Sequence, residues 1–182
     1  MSQSKNEVWE WIKALIIAVL LAGGIRFFLF APIVVDGESM MPTLHDHYRM
    51  IVNKIGYKIG KPERFDIVVF HATEERDYIK RVIGLPGDHV EYKDDVLYIN
   101  GEPIEEPYLD QYKQDVNGPL TNDFTLEEVT GLDKVPEGHI FVLGDNRRFS
   151  KDSRIIGTVE MEKVLGKTNI VYWPPSDFQI IK

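Results

Sequence analysis

Asp66-Ile67-Val68-Val69-Phe70-His71 and Tyr78-Ile79-Lys80-Arg81-Val82-Ile83-Gly84, joined by the charged turn Thr73–Asp77, decide the fold class. The first run is short, apolar and rich in β-branched residues, as a buried strand requires. The second reads as another strand, ended by Leu85-Pro86-Gly87-Asp88. On a period of two, Lys80 shares a face with Tyr78 and Val82, while Arg81 faces the other way with Ile79 and Ile83. Further strands are expected on either side of this pair, at Tyr48–Lys54 and His139–Leu143, and then at Gly157–Glu160 and Val164–Trp173, where Pro174-Pro175 stops the last. His89–Tyr92 and Val96–Asn100 flank Lys93-Asp94-Asp95 and read as a hairpin. Gly56, Gly60-Lys61-Pro62 and Asn100-Gly101 mark turns. Many short strands without a soluble helical pattern of useful length predict a mainly β domain built on an antiparallel sheet.

A chain of 182 residues with 43% hydrophobic content buries a core without staples. A net charge of −8 argues against a nucleic-acid surface. The absence of cysteine excludes disulfides, thiolate metal sites and a cysteine nucleophile. Between Glu105 and Glu137 the strand pattern dissolves, with nine acidic residues against two lysines. This stretch is expected to be an acidic surface insertion, with local structure only around Phe124 to Val129.

The N-terminus is different in kind. Ala14 to Ile25 carry no charge, bracketed by Lys13 and Arg26, and the apolar character resumes through Val35. A helix from Ile12 to Phe30 is about 28 Å long, the thickness of a bilayer's hydrocarbon. Trp9 and Trp11 suit one interface, and Phe27, Phe28 and Phe30 the other, with Arg26 reaching to headgroups. A segment apolar all round and terminal is a poor core helix. A cleavable signal peptide competes, although no convincing A-x-A site is followed by a polar start. The reading adopted is an uncleaved transmembrane anchor over 12–31, after a short segment 1–11 and before a β-rich domain 32–182. Charge does not orient it, because Lys5 and Lys13 are offset by Glu7 and Glu10.

Three stretches carry chemistry-bearing residues. Asp36-Gly37-Glu38-Ser39-Met40-Met41-Pro42-Thr43-Leu44 places a serine in a Gly- and Pro-bounded turn just beyond the apolar segment. Lys80 has two readings. It is an edge-strand lysine pointing to water, or a lysine in an apolar site whose ammonium form is penalised, so that it serves as a base near neutral pH. Gly144-Asp145-Asn146-Arg147-Arg148-Phe149-Ser150-Lys151-Asp152-Ser153-Arg154 is either a solvated turn or a loop ordered by its own acids, bases and hydroxyls. The histidines are scattered, and His45 and His47 read as surface turn residues. No metal and no cofactor is expected.

Ser39-Met40-Met41-Pro42-Thr43, Tyr78 to Val82 with Gly84 to Asp88, and Gly144 to Arg147 with Ser150 to Arg154 together resemble the motif boxes of bacterial type I signal peptidases. They stand in that family's order and spacing, from the anchor to about Val171, in the manner of its Gram-positive, single-anchor branch. The resemblance implies a Ser-Lys peptidase fold, shared with self-cleaving repressor peptidases, and a serine endopeptidase that removes signal peptides from exported preproteins after small residues at −1 and −3. It implies Ser39 as nucleophile, neutral Lys80 as general base and Ser150 as the residue orienting the lysine. Asp145, Asp152, Arg154 and Tyr78 would support the site, with Asp152 pairing to Arg154. Some relatives carry a serine two residues before the nucleophile as an oxyanion donor; here it is Gly37, so the Ser39 N–H and an N–H near Gly37 are the expected donors. By register, Ile33, Val35, Met40, Leu44 and Ile79 are candidates for shallow substrate pockets, against plain core packing. The expected partners are signal peptides and the bilayer, not nucleic acid or metal. The expected state is a monomer in the cell membrane, with the N-terminus cytoplasmic and the peptidase domain extracytoplasmic. The alternatives are a soluble repressor-type peptidase, disfavoured by the anchor, and a catalytically inactive β module, disfavoured because Ser39 and Lys80 are both present.

Overall fold

The structure, a computed structural model, describes residues 3–54 and 60–181. A 27-residue helix, α1 (Gln3–Leu29), runs directly into the first strand, β1 (Phe30–Val34). The main sheet then takes β2 (Arg49–Asn53), β3 (Ile67–His71), β4 (Asp77–Gly84), β9 (His139–Leu143), β10 (Val159–Glu160), β11 (Val164–Trp173) and β12 (Gln179–Ile180). Its order is β1-β2-β11-β3-β4-β9-β10, with β12 on β11, and every pairing is antiparallel. A second, four-stranded sheet has the order β7 (Glu102–Ile104), β6 (Val96–Ile99), β5 (Val90–Lys93), β8 (Phe124–Thr125). The expected strands and the hairpin at Lys93-Asp94-Asp95 are all present; Asp94 and Asp95 both adopt positive φ, as a tight two-residue turn demands. The turn expected at Gly56 lies outside the described residues.

β4 is a central strand, paired Lys80 to Val68 on one side and Arg81 to Leu143 on the other. The edge-strand reading of Lys80 is therefore wrong for a topological reason: β9, sixty residues downstream, covers the edge that the local sequence left open. Both sides of the sheet are packed. Val68, Phe70, Val82, Ile140, Val142 and Val159 form one core, and Ile83, Tyr92, Leu97, Phe141 and Leu143 belong to another that holds the second sheet.

Two expectations need correction. The stretch 105–137 is no surface insertion. Leu109, Leu120, Phe124, Leu126 and Val135 are buried, and Glu106 forms a buried ion pair with Arg147 at 2.5 Å. The stretch also folds into α2 (Asp110–Asp115) and α3 (Leu126–Thr130), the latter begun by a Thr125–Glu128 capping box. Net acidity concealed this, because the acids other than Glu106 sit at exposed positions between sparse apolar anchors. Among the described residues, no helix is long and apolar enough to cross a membrane. α1 carries Lys5, Glu7, Glu10 and Lys13 in its first half, which leaves only a short uncharged run. It also ends at Leu29, so Phe30 and Ala31 belong to β1 and not to a helix reaching 31; Pro32 does not stop the helix but sits in an edge strand, where no amide is needed on the outer side. The side chains of residues 25–30, including Arg26 and the three phenylalanines expected at an interface, lie outside the described ones.

Glu106 accepts from Arg147, Tyr92 and Tyr108. Burial alone would raise its pKa, but the Arg147 charge and these hydrogen bonds hold it below the usual carboxylate value. A depressed carboxylate adds stability above its unfolded pKa and loses it as the pH falls through the folded value. Glu106→Ala leaves Arg147 buried without its carboxylate and is expected to lower stability by about 3–5 kcal/mol near neutral pH. In urea melts the deficit shrinks as the pH drops below 4.

Candidate active site

The segment 35–44 is anchored by Val35, Met40 and Leu44, which turn inward against Met50, Ile67 and Val171. Between these anchors Ser39 is held at the surface of a cleft of about 390 Å³. Lys80 reaches the same point from the middle of β4 and is only 3% exposed. Its Nζ lies 2.8 Å from Ser39 Oγ and donates to the Ile79 carbonyl at 2.8 Å. The Tyr78 ring covers it at 5.1 Å. Among the described residues, no carboxylate lies within ion-pair distance of Lys80. Burial therefore dominates, and lowers its pKa from 10.5 to about 8, against the weaker opposing pull of Asp152 and Asp145.

Arg81, one residue on, faces the other way and is paired. Its guanidinium grips Asp145 through Nε and Nη2, at 2.9 and 2.7 Å, and both side chains are fully buried. Asp145 also accepts from Thr43 Oγ1 at 2.5 Å, which ties the serine turn to the loop after β9. The next residue, Asn146, donates its backbone N–H to the Ser39 carbonyl and its side-chain amide to the Glu38 carbonyl. Asp152 caps the short helix α4 (Ser153–Ile156), accepts from the Gly144 N–H at 3.0 Å, and pairs with Arg154 at 2.8 Å. The loop is thus ordered by its own groups: its acids close on Arg154 and on Arg81 of β4, while Arg148, Phe149 and Lys151 stay exposed.

A serine and a buried, unpaired lysine in contact on a β scaffold narrow the possible families sharply. The family described as signal peptidase, peptidase S26, matches residues 8–173. Signal peptidase I of Bacillus caldolyticus is 51% identical over 177 residues, covering 97% of this chain and 95% of its own. The chain belongs to the signal peptidase family, peptidase S26. Signal peptidase IB of Staphylococcus aureus (strain COL) is 42% identical over 180 residues, covering 96% and 94% of the two chains. A crystal structure of a signal peptidase I from Enterococcus faecalis V583 superposes with a TM-score of 0.56 at 51% identity, covering 59% of this chain and 96% of that one.

Within this signal peptidase scaffold, Ile33, Val35, Met40 and Ile79 line the cleft together with Val69 and Tyr78. Leu44 does not; it is wholly buried beneath the serine turn, because its amide bonds back to the Met40 carbonyl and turns the side chain into the core. The Gly37 N–H is already donated to Asp46 at 2.8 Å, so it is not free as an oxyanion donor. Ser150 Oγ is buried and makes no hydrogen bond among the described residues, so the contact expected between it and Lys80 is not formed here. Arg81, Thr43, Gly144 and Asn146 were quoted within the sequence motifs without a role. Arg81 alone carried a usable signal, a second charge in a strand that wants burial.

Gly144 marks the tightest point. A Cβ there would stand 2.2 Å from Ser150 Oγ and 2.3 Å from the Ser39 carbonyl oxygen. The carbonyl is backbone and cannot swing away, so Gly144→Ala must displace the serine turn. A 1 Å displacement of reacting groups costs about 10²-fold in rate, and a loss of that order in peptidase kcat is expected for Gly144→Ala.

Proposed function

We propose that this chain is a membrane-tethered serine endopeptidase that cleaves signal peptides from exported preproteins, with Ser39 as nucleophile and Lys80 as general base. The observation that carries the residue roles is the 2.8 Å contact between Ser39 Oγ and a lysine buried without a counter-ion. In the neutral amine form the bond reverses, the serine hydroxyl donating to Nζ. Ser39 Oγ attacks the scissile carbonyl as Nζ takes the proton; the tetrahedral intermediate collapses to an ester at Ser39, and Lys80 returns the proton to the departing amine. Water, activated by the same amine, then hydrolyses the ester. The Ser39 N–H, for which no partner is found among the described residues, is the oxyanion donor that fits this scheme. The apolar cleft walls at Ile33, Val35, Met40 and Ile79 suit the small residues at −1 and −3 of a signal peptide. Asp145, Asp152, Arg154 and Tyr78 hold the site's shape, and Ser150 orients the lysine once substrate closes the cleft.

Tethering has its own support. Val8, Trp9, Trp11, Ile12, Leu15, Ile16, Ile17, Val19, Leu20 and Leu21 are all exposed, and they point in every direction around α1. An apolar helix without a polar face is at home in lipid and not in water. We place the apolar part of α1, from Ile12 to Leu29, in the membrane, with 1–11 cytoplasmic and the β domain from Phe30 outside, acting as a monomer. A shared membrane raises the effective concentration of an inserted substrate at the cleft. Nothing favours an inactive module, since Ser39 and Lys80 are present and in contact.

Incubating the detergent-solubilised protein with a preprotein and sequencing the product's new N-terminus tests the activity. Cleavage after a small residue is expected, and neither Ser39→Ala nor Lys80→Arg retains it, because arginine does not give up its proton. For the base, kcat/KM is expected to rise with pH to half its maximum near 8, following the depressed lysine. A profile already flat down to pH 5 would exclude Lys80. The stability sign runs the opposite way to that of an ion pair. A lysine whose folded pKa is depressed destabilises the fold most below that value, and the penalty fades as the pH rises from about 8 towards 10.5. Lys80→Met is therefore inactive yet more stable than the parent at pH 7.

A further inference from the structure

We infer that Asn146 is a positioning residue for this reaction, holding the nucleophile turn in place for oxyanion binding, and that Tyr112 on α2 supports its side-chain amide. The inference rests on the proposed roles of Ser39 and Lys80. Asn146 is 5% exposed and touches the Ser39 turn twice in succession. Its backbone N–H donates to the Ser39 carbonyl at 3.1 Å, and its Nδ2 donates to the Glu38 carbonyl at 3.0 Å. Those two carbonyls flank the peptide units around Ser39. The Glu38 carbonyl belongs to the same rigid peptide plane as the Ser39 N–H, and the two point in opposite directions across it. That carbonyl is held by the Met41 N–H at 3.1 Å and by Asn146 Nδ2 at 3.0 Å, and the Asn146 bond is the one that ties the direction of the Ser39 N–H to the loop after β9. The Gly37 N–H, engaged by Asp46, does not take its place.

An asparagine amide has two orientations, and only one presents Nδ2 to Glu38. Here the choice is made chemically. The Glu38 carbonyl only accepts, so it takes the NH₂ side, and the oxygen left on the other side accepts from the Tyr112 hydroxyl at 3.2 Å. Arg147, the next residue, is locked in the buried cluster of Glu106, Tyr108 and Tyr92, so the loop backbone cannot drift to release Asn146. Tyr112 and Glu106 both come from the 105–137 stretch, which thereby acts on the site without touching substrate.

The test compares Asn146→Ala, Asn146→Asp and Tyr112→Phe in the full-length, detergent-solubilised protein, reading kcat and KM on a preprotein and the affinity for a peptide aldehyde that forms a tetrahedral adduct with a serine. Asn146→Asp is isosteric but offers Glu38 no donor. Both Asn146 variants are expected to lose about tenfold to a hundredfold in kcat, with KM within threefold and a parallel loss of aldehyde affinity. Tyr112→Phe is expected to lose severalfold, in line with its single long hydrogen bond. A purely structural role would lower the melting temperature and leave kcat of the folded fraction and aldehyde affinity intact, and that result overturns the inference. If Asn146→Ala does not fold, Asn146→Asp and Tyr112→Phe decide by the same readouts. A parent protein that fails to cleave any preprotein refutes the proposed function; a parent that cleaves alongside fully active Asn146 variants refutes only the role of Asn146.

Discussion

Two consecutive cations on one central strand, Lys80 and Arg81, are both buried, and the fold treats them in opposite ways. Strand alternation sends them to opposite faces of the sheet. Arg81 is neutralised by a bidentate carboxylate, so its charge is permanent and structural. Lys80 is given a hydroxyl, a carbonyl and an aromatic ring, but no ion pair among the described residues. A lysine so placed keeps its proton more weakly than one in water, as a general base near neutral pH requires. Exchanging the two environments by a one-residue register slip would put the paired cation at the serine and leave the fold without its buried bridge.

The rest of the site follows from securing that arrangement. Asp145 is the hub: it closes on Arg81 from β4 and on Thr43 from the serine turn, two segments far apart in sequence. The residues on either side of it complete the work. Gly144 lets the loop approach the Ser39 carbonyl closely enough that no side chain fits, and Asn146 binds the same turn from the other side. Asp152 then folds the end of the loop back onto Gly144 and Arg154. The polar loop is ordered by its charges: Asp145 pairs with Arg81 of β4, Asp152 with Arg154 within the loop, and Arg147 with Glu106 outside it.

The second sheet contributes at a distance. Its Tyr92, with Glu106 and Tyr108 from the following stretch, encloses Arg147 completely. Such a buried pair is costly to form and costlier to break, which makes it a poor source of net stability and a good device for fixing one loop position. Through Arg147 the whole 105–137 stretch reports to the active-site loop.

The sequence by itself determined the strands, the hairpin and the three motif stretches, because short-range periodicity and turn chemistry are local properties. Ser39 and Lys80 were legible as a pair only through the resemblance of those motifs to the signal peptidase family; the strand pattern alone left Lys80 free to point to water. Tertiary structure decided that question by covering β4 with β9, and it decided the burial of Glu106, whose acidic surroundings suggested a surface. It also removed Leu44 from the cleft and took the Gly37 amide out of use, since both depend on where the turn's backbone bonds land. The contacts of Asn146 with Glu38 and Ser39 join residues more than a hundred positions apart. No local rule anticipates them, because hydrogen-bond direction is fixed only once the segments have met.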